Sequence, residues 1–333
     1  MLLQILTSRR FTSIHQIMLK ENHTEDKDVF FLGFHHIRKH KVLLFIVFFL
    51  LYTMILAGNL LIIVLVSTSR CLKIPMYFFL IHLSLSDIFL TTDTVPSMLH
   101  FLLKEGGNIS IAGCITQFYF LGCSGITECL LLAAMSYDRY LAVCFPLHYM
   151  SIMDLRCCSH LVICCWTLGI GLMMITTLLV SKLQFCGPMT TDYFFCDFAP
   201  LIELSCSDTS IVKTVNFLLA ILVTILPFGF IVTTYICILL TVLEISSNTE
   251  RKKTFSTCSS HISTVCMYYG TLVAIYANPF PGNSLNMKKN ISLLYAVVTP
   301  FFNPIIYSLK NQEIRTILNV YIRKLSKRND LCI

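Results

Sequence analysis

Apolar windows free of charge recur along the chain. Val42–Ser69, Gly106–Thr127, Cys157–Ser181, Thr214–Leu243, Thr254–Met287 and Asn290–Leu309 each run without Asp, Glu, Lys or Arg. Met76–Leu103 is interrupted only by Asp87 and Asp93. A helix needs about 20 apolar residues to cross the hydrocarbon of a bilayer, and each window meets that length. In lipid every backbone N–H and C=O must be paired within the segment, so such windows predict helices. Seven spans follow, over 42–66, 76–102, 114–139, 157–180, 212–243, 254–278 and 290–308. The longest outer connection is 181–211. Past the last span, Ile314, Ile317, Leu318 and Tyr321 recur at helical spacing, with Lys310, Arg315 and Arg323 around them. That pattern predicts a short amphipathic helix over 310–322 on the membrane surface. No internal repeat of the transporter kind is visible.

Composition agrees with the pattern. Of 333 residues 56% are hydrophobic and 13% charged, against roughly 25% charged in soluble domains. Too few charges remain to cover a globular surface, which excludes a soluble enzyme, a disordered chain and a nucleic-acid binder. The formal net charge of +7 does not change this. Its Lys and Arg fall in the gaps between apolar runs and in the tail, as anchors at membrane ends do. Residues 1–17, MLLQILTSRRFTSIHQI, carry Arg9 and Arg10 after a short apolar run, the reverse of a secretory leader. No cleaved leader is expected, and span one is expected to serve as the insertion signal.

An odd number of spans puts the termini on opposite sides. The Lys and Arg balance of the connections is nearly even, so the sequons carry more weight. Asn22-His-Thr, Asn108-Ile-Ser and Asn290-Ile-Ser all map to one side, with Asn290 close to the membrane; glycosylation places that side in the lumen or outside the cell. Of 16 cysteines, Cys114, Cys186, Cys196 and Cys206 fall on the same side. Four cysteines in an oxidising compartment suggest two bridges, with three pairings open. Cys157-Cys158 and Cys164-Cys165 lie in an apolar helix without a matching His pair and are expected to hold no metal.

Five strings carry a resemblance: GNLLIIVLV at 58–66, PMYFFLIHLSLSD at 75–87, MSYDRYLAVCFPLHY at 135–149, KKTFSTCSSH at 252–261 and NPIIYSLKN at 303–311. In this order and spacing they make the chain resemble the vertebrate olfactory (odorant) receptors, rhodopsin-like G-protein-coupled receptors, from about Asn22 to Asn311. Ser136, Leu141 and Lys310 depart from the usual family residues. The resemblance implies an all-α, seven-transmembrane helix bundle with a short cytoplasmic amphipathic helix. It implies an extracellular tail over 1–41, in which 1–17, ahead of the usual family start at Met18, read as an extension or an upstream start, a receptor domain over 42–308 and a cytoplasmic tail over 309–333. It further implies a multi-pass plasma-membrane protein with its N-terminus outside and no catalytic residues. A small-molecule odorant would be its ligand, and a stimulatory heterotrimeric G protein that raises cyclic AMP its partner.

Site residues follow from the same resemblance. Cys114 would pair with Cys196, leaving Cys186 with Cys206. The ligand would lie among Leu121, Gly122, Gly125 and Ile126 of span three, Leu219, Ala220 and Val223 of span five, and Tyr269, Leu272, Val273 and Tyr276 of span six. This lining is apolar with few hydroxyls and suits a small hydrophobic ligand. Leu121 stands where amine receptors carry an acid, and span seven has no Lys for a Schiff base. Asp138, Arg139 and Tyr140 would form a charge contact that opens when span six moves. Tyr235, His261, Asn303, Pro304 and Tyr307 would share in the switch, with Pro304 bending its helix. No resident cofactor is implied beyond an allosteric sodium ion. Asn59, Asp87, Glu128 and Asn303 are polar groups inside hydrocarbon, expensive unless used. Close carboxylates repel, and a shared sodium would remove that cost.

Three rival classes make different demands. A peptide or lipid receptor of this fold would show a charged pocket rim. A transporter would need broken helices with coupling ions. An intramembrane enzyme would need a Ser-His pair, a His-rich metal set or facing Asp residues. The sequence offers none of these.

Overall fold

The computed structural model describes residues 28–32, 40–69, 72–245, 247–276, 289, 292–311 and 313–320; at 248, 250, 252, 253, 255–257, 274–276, 309 and 310 it describes the backbone alone. Seven long helical segments dominate the described residues. Span one is Lys41–Thr68, span two Pro75–Lys104, span three Ile111–Cys144 and span four Leu155–Ser181. Span five runs as Ser210–Ala220, a π-helical turn at Ile221–Ile225, and Leu226–Glu244. Span six is Asn248–Tyr276. The described part of span seven has a π turn at Leu294–Val298 and then Thr299–Lys310. Spans one to five are long and apolar enough to cross a bilayer by composition alone. Span six opens on the polar run NTERKKTFSTCSSH.

Burial shows which helices are central. In the most apolar windows, 56% of span two and 61% of span three are buried inside the bundle, against 28% of spans one and four and 17% of span five. Spans two and three therefore form the axis, and the others give much of their surface to lipid. Local chemistry sets the helix ends. Ser110 and Asp154 cap spans three and four by accepting from the backbone N–H of Gly113 (3.1 Å) and Cys157 (2.8 Å). Span three runs five residues beyond Arg139, so Asp138-Arg139-Tyr140 lies within the helix and not at its end as the sequence reading had it. Asn311 breaks span seven from the helix at 313–320, and its Oδ1 accepts from the N–H of Glu313 and Ile314. The surface helix therefore starts later than the expected position 310; Ile314 is buried, and Ile317 and Leu318 pack on the core. Tyr321 lies outside the described residues.

One end of the bundle carries a lid with three strands that the hydrophobic pattern does not announce. These are β1 (Asp28–Phe31), β2 (Gly107–Ser110) and β3 (Thr190–Thr191), in the order β2-β1-β3. β1 pairs antiparallel with β2, Phe30 opposite Asn108, and parallel with β3, Phe30 opposite Thr190. Val29 and Phe31 are fully buried, and Phe31 stacks on Phe101 of span two at 5.2 Å between ring centres. Part of the segment expected as a tail is thus structural.

Candidate functional site

Two disulfides tie the lid. Cys114, in the first turn of span three, is bonded to Cys196, with Cα atoms 5.2 Å apart, and Cys186 is bonded to Cys206 at 5.9 Å. Gln117, one turn below Cys114, was not singled out from sequence. Its Nε2 donates to the Asp93 carbonyl (2.6 Å) and Ser97 Oγ (3.0 Å), and its Oε1 accepts from the N–H of Cys196 (2.8 Å). One amide thereby joins span two, span three and the lid. Asp197 Oδ1 accepts from the Phe198 N–H at 2.7 Å and caps the short helix Phe198–Glu203. Desolvation raises the Asp197 pKa above the ordinary carboxylate range, and the bond from Phe198 partly offsets it. Lys289 pairs with Asp192 and lies 4.6 Å over the Phe194 ring, linking the approach to span seven with the lid. Asn108 is exposed on β2; Asn22 and Asn290 lie outside the described residues.

Beneath the lid, spans three, four, five and six enclose a cavity of about 220 Å³. Its walls include Leu121, Gly122, Gly125 and Ile126 of span three, Leu219, Ala220 and Val223 of span five, and Leu272 of span six. A Cβ at Gly122 would come within 2.4 Å of Met173 Sδ, so the glycine admits this span-four side chain to the wall. The span-six expectation needs correction. Tyr269 and Val273 do not line this cavity but an outer cleft between spans five and six. Tyr268 and Thr271 join the expected Leu272 on the inner face. One residue is about 100° of helix rotation, and that phase was shifted by one position. The Tyr276 side chain lies outside the described residues. The wall is also more polar than expected, since Asn216, Thr224, Tyr268, Thr271 and Tyr295 join it, with Glu128 below and Asp197 above. Tyr268 is held in place, donating to the Gly125 carbonyl at 2.8 Å and accepting from Cys129 Sγ at 3.1 Å.

Below the cavity the buried polar groups meet. Asn303 Nδ2 donates to both Asp87 oxygens, at 3.1 and 3.0 Å. Asn59 Nδ2 donates to the carbonyls of Ile55 (3.1 Å) and Pro300 (3.2 Å). Gly58 lets these helices meet, because a Cβ there would stand 3.0 Å from the Pro304 ring. Asn59 Oδ1, Glu128 Oε1 and Asn303 Oδ1 are buried without a hydrogen-bond partner. Oxygen atoms in that condition suit a hard cation, which prefers oxygen ligands. Among the described residues no three His, Cys, Asp or Glu side chains gather as a metal site.

The far end of the bundle holds the charge contact. Arg139 Nε and Nη2 bind Asp138 Oδ2 at 2.9 and 2.5 Å, and the Tyr149 hydroxyl donates to Asp138 Oδ1 at 2.8 Å. His261 of span six bridges two other helices. Its Nε2 stands 3.2 Å from the Leu132 carbonyl of span three, and its Nδ1 stands 2.6 Å from the Tyr235 hydroxyl of span five. A carbonyl only accepts, so Nε2 carries the proton; Nδ1 of the neutral ring then accepts from Tyr235. Tyr140 packs outside this contact, edge-on to Phe145. Tyr307 is fully buried, its hydroxyl unpartnered. Pro304 lies inside span seven.

Comparison with known proteins covers most of the chain. A family model described as olfactory receptor matches residues 48–325. Human olfactory receptor 11A1 is 44% identical over 287 residues, 86% of this chain and 91% of that protein. Human olfactory receptor 10C1 is 45% identical over 293 residues, 88% of this chain and 94% of that protein. The crystal structure of squid rhodopsin superposes with a TM-score of 0.67 at 17% identity, covering 81% of this chain and 77% of that one, and establishes the seven-helix fold. This chain belongs to the olfactory receptor family.

Proposed function

We propose that this receptor binds small, mainly hydrophobic odorants in the cavity under the lid and activates a stimulatory heterotrimeric G protein, raising cyclic AMP. As a member of a receptor family it is not an enzyme. The observation that carries the proposal is a helical lever. Tyr268, on the cavity wall, lies seven residues from His261 on the same helix, which is about 10 Å at 1.5 Å per residue. A ligand seated against Tyr268, Thr271 and Leu272 bears on span six. His261 then parts from the Leu132 carbonyl and from Tyr235, and the bundle loosens beside Arg139. Freed from Asp138, the Arg139 guanidinium faces the G protein. A ligand biases this equilibrium only by its difference in affinity for the two states.

The sequons at Asn22 and Asn108 and the two lid disulfides support an outward-facing lid and N-terminus in the plasma membrane. Residues 1–41 then form the extracellular segment, which includes β1, 42–308 the receptor domain and 309–333 the cytoplasmic tail. Asn59, Asp87, Glu128 and Asn303 would hold the sodium ion; when bound it supplies positive charge that offsets two buried carboxylates. Asn303 orients the Asp87 carboxylate through both of its oxygens. The test is expression in cells carrying a cyclic AMP reporter, challenged with a panel of volatile alcohols, aldehydes, esters and terpenes. A saturable response to some of them is expected. Silence from a receptor shown to be at the surface would overturn the reading.

A further inference from the structure

The lining that was misassigned by one helical step marks a second cavity. Between spans five and six, a cleft of about 310 Å³ opens on the outer face of the bundle. Phe217, Ile221, Ile225 and Val273 edge it and are 40–64% exposed toward what is, in a membrane, hydrocarbon. Three residues, Ala220, Thr224 and Leu272, line both this cleft and the inner cavity, so one layer of side chains separates the two. The partition is weak in two respects. It contains a small residue, Ala220, and it coincides with the π turn Ile221–Ile225, where the regular helical hydrogen-bond ladder is interrupted. The described lid is stronger, since Phe194, Phe195 and Cys196 are buried and covalently tied to span three.

We propose that the cleft is a membrane portal: an uncharged, lipophilic small molecule dissolved in the bilayer docks between spans five and six and passes the Ala220–Thr224–Leu272 partition into the inner cavity. Apolar solutes leave water for hydrocarbon, so the bilayer concentrates such a ligand at the mouth of the cleft. The apolar edge gives the ligand no reason to stop there, whereas Asn216, Thr271 and Tyr295 on the inner wall offer polar contacts. The inference rests on the inner cavity being the ligand site.

The test uses the full chain in phosphatidylcholine vesicles, with octanol carrying a diazirine as the photoreactive probe. Samples are irradiated at successive times after mixing, and labelled residues are located by mass spectrometry. Label at Phe217 and Val273 is expected to precede label at Leu121 and Thr271. Ile221→Trp, at a residue that lines the cleft and not the inner cavity, should slow inner labelling about tenfold, within the range over which variants of one binding site change association rates, and leave its final level unchanged. Ile225→Trp should act in the same direction, and a full final level in either variant shows that it has folded. Inner labelling at the wild-type rate in both variants overturns the portal alone. Label confined to the cleft overturns the inner cavity as the ligand site, and the portal with it.

Discussion

At the lid end, the covalent Cys114–Cys196 and Cys186–Cys206 bridges, backed by a three-stranded sheet, hold the loops. At the far end the described contacts are non-covalent: the Asp138–Arg139 ion pair within span three, the Tyr149 bond to Asp138, and the His261 bridge to Leu132 and Tyr235. Under the proposed function, a bundle with one covalently held end and one reversible end would convert ligand binding in its cavity into motion at the reversible end. The difference also explains the polar groups: at the lid they are caps and clamps such as Gln117 and Asp197, while at the far end they are contacts that can be exchanged.

The largest effect should come from breaking the reversible end. Asp138 is fully buried, and removing one partner of a buried ion pair costs about 3–5 kcal/mol. Asp138→Asn should release Arg139 and raise nucleotide exchange on a purified G protein in the absence of ligand. Arg139→Ala should give no ligand-stimulated exchange at all. Next is the fixed end. Cys114→Ser removes a bridge spanning 82 residues of sequence, worth about 2–5 kcal/mol, and should lower the melting temperature of the solubilised receptor and its surface display. Cys186→Ser opens a bridge spanning only 20 residues and should cost less, because a shorter loop loses less chain entropy on closure. If both substitutions raise basal exchange as Asp138→Asn does, the division between a fixed and a reversible end fails.

Smaller effects sharpen the comparison. Tyr235→Phe deletes the donor to His261 Nδ1, a loss of about 0.5–1.5 kcal/mol, and should raise basal exchange severalfold without lowering surface display. The smallest effect is that of pH on the lid. The Asp197 pKa in the folded lid lies above its unfolded value because burial disfavours the charge. Its contribution is therefore most favourable below the ordinary carboxylate pKa and is lost as pH rises through the folded value. Asp197→Asn, which keeps an acceptor for the Phe198 N–H, should flatten that part of the profile of melting temperature against pH.

The helices were legible in sequence because hydrocarbon imposes one rule on every spanning segment. Even span six, whose polar start weakens its signal, shows as the charge-free window Thr254–Met287. Asp138, Arg139 and His261 were legible through the strings MSYDRYLAVCFPLHY and KKTFSTCSSH that carry the family resemblance. The strands were not, since Asp28–Phe31 is four residues long and its partners lie near 107 and 190, a pairing fixed by tertiary contact. Gln117 passed unnoticed because an amide near a membrane end resembles any interfacial residue until its three partners converge. The span-six lining slipped by one position because the helix is apolar on more than one face; only packing against Gly125 and Cys129 sets Tyr268 inward. The π turns at Ile221–Ile225 and Leu294–Val298 leave no signal in hydrophobic periodicity.

The most direct measurement is the distance between the far ends of spans three and six, from spin labels at Cys144 and Thr249 in a receptor whose other unbridged cysteines are replaced, with and without a volatile agonist found in the reporter screen. The account predicts a longer separation with agonist, reproduced without ligand by Asp138→Asn, while labels across the lid stay at fixed distance. An unchanged separation in the presence of an agonist that drives nucleotide exchange would contradict it.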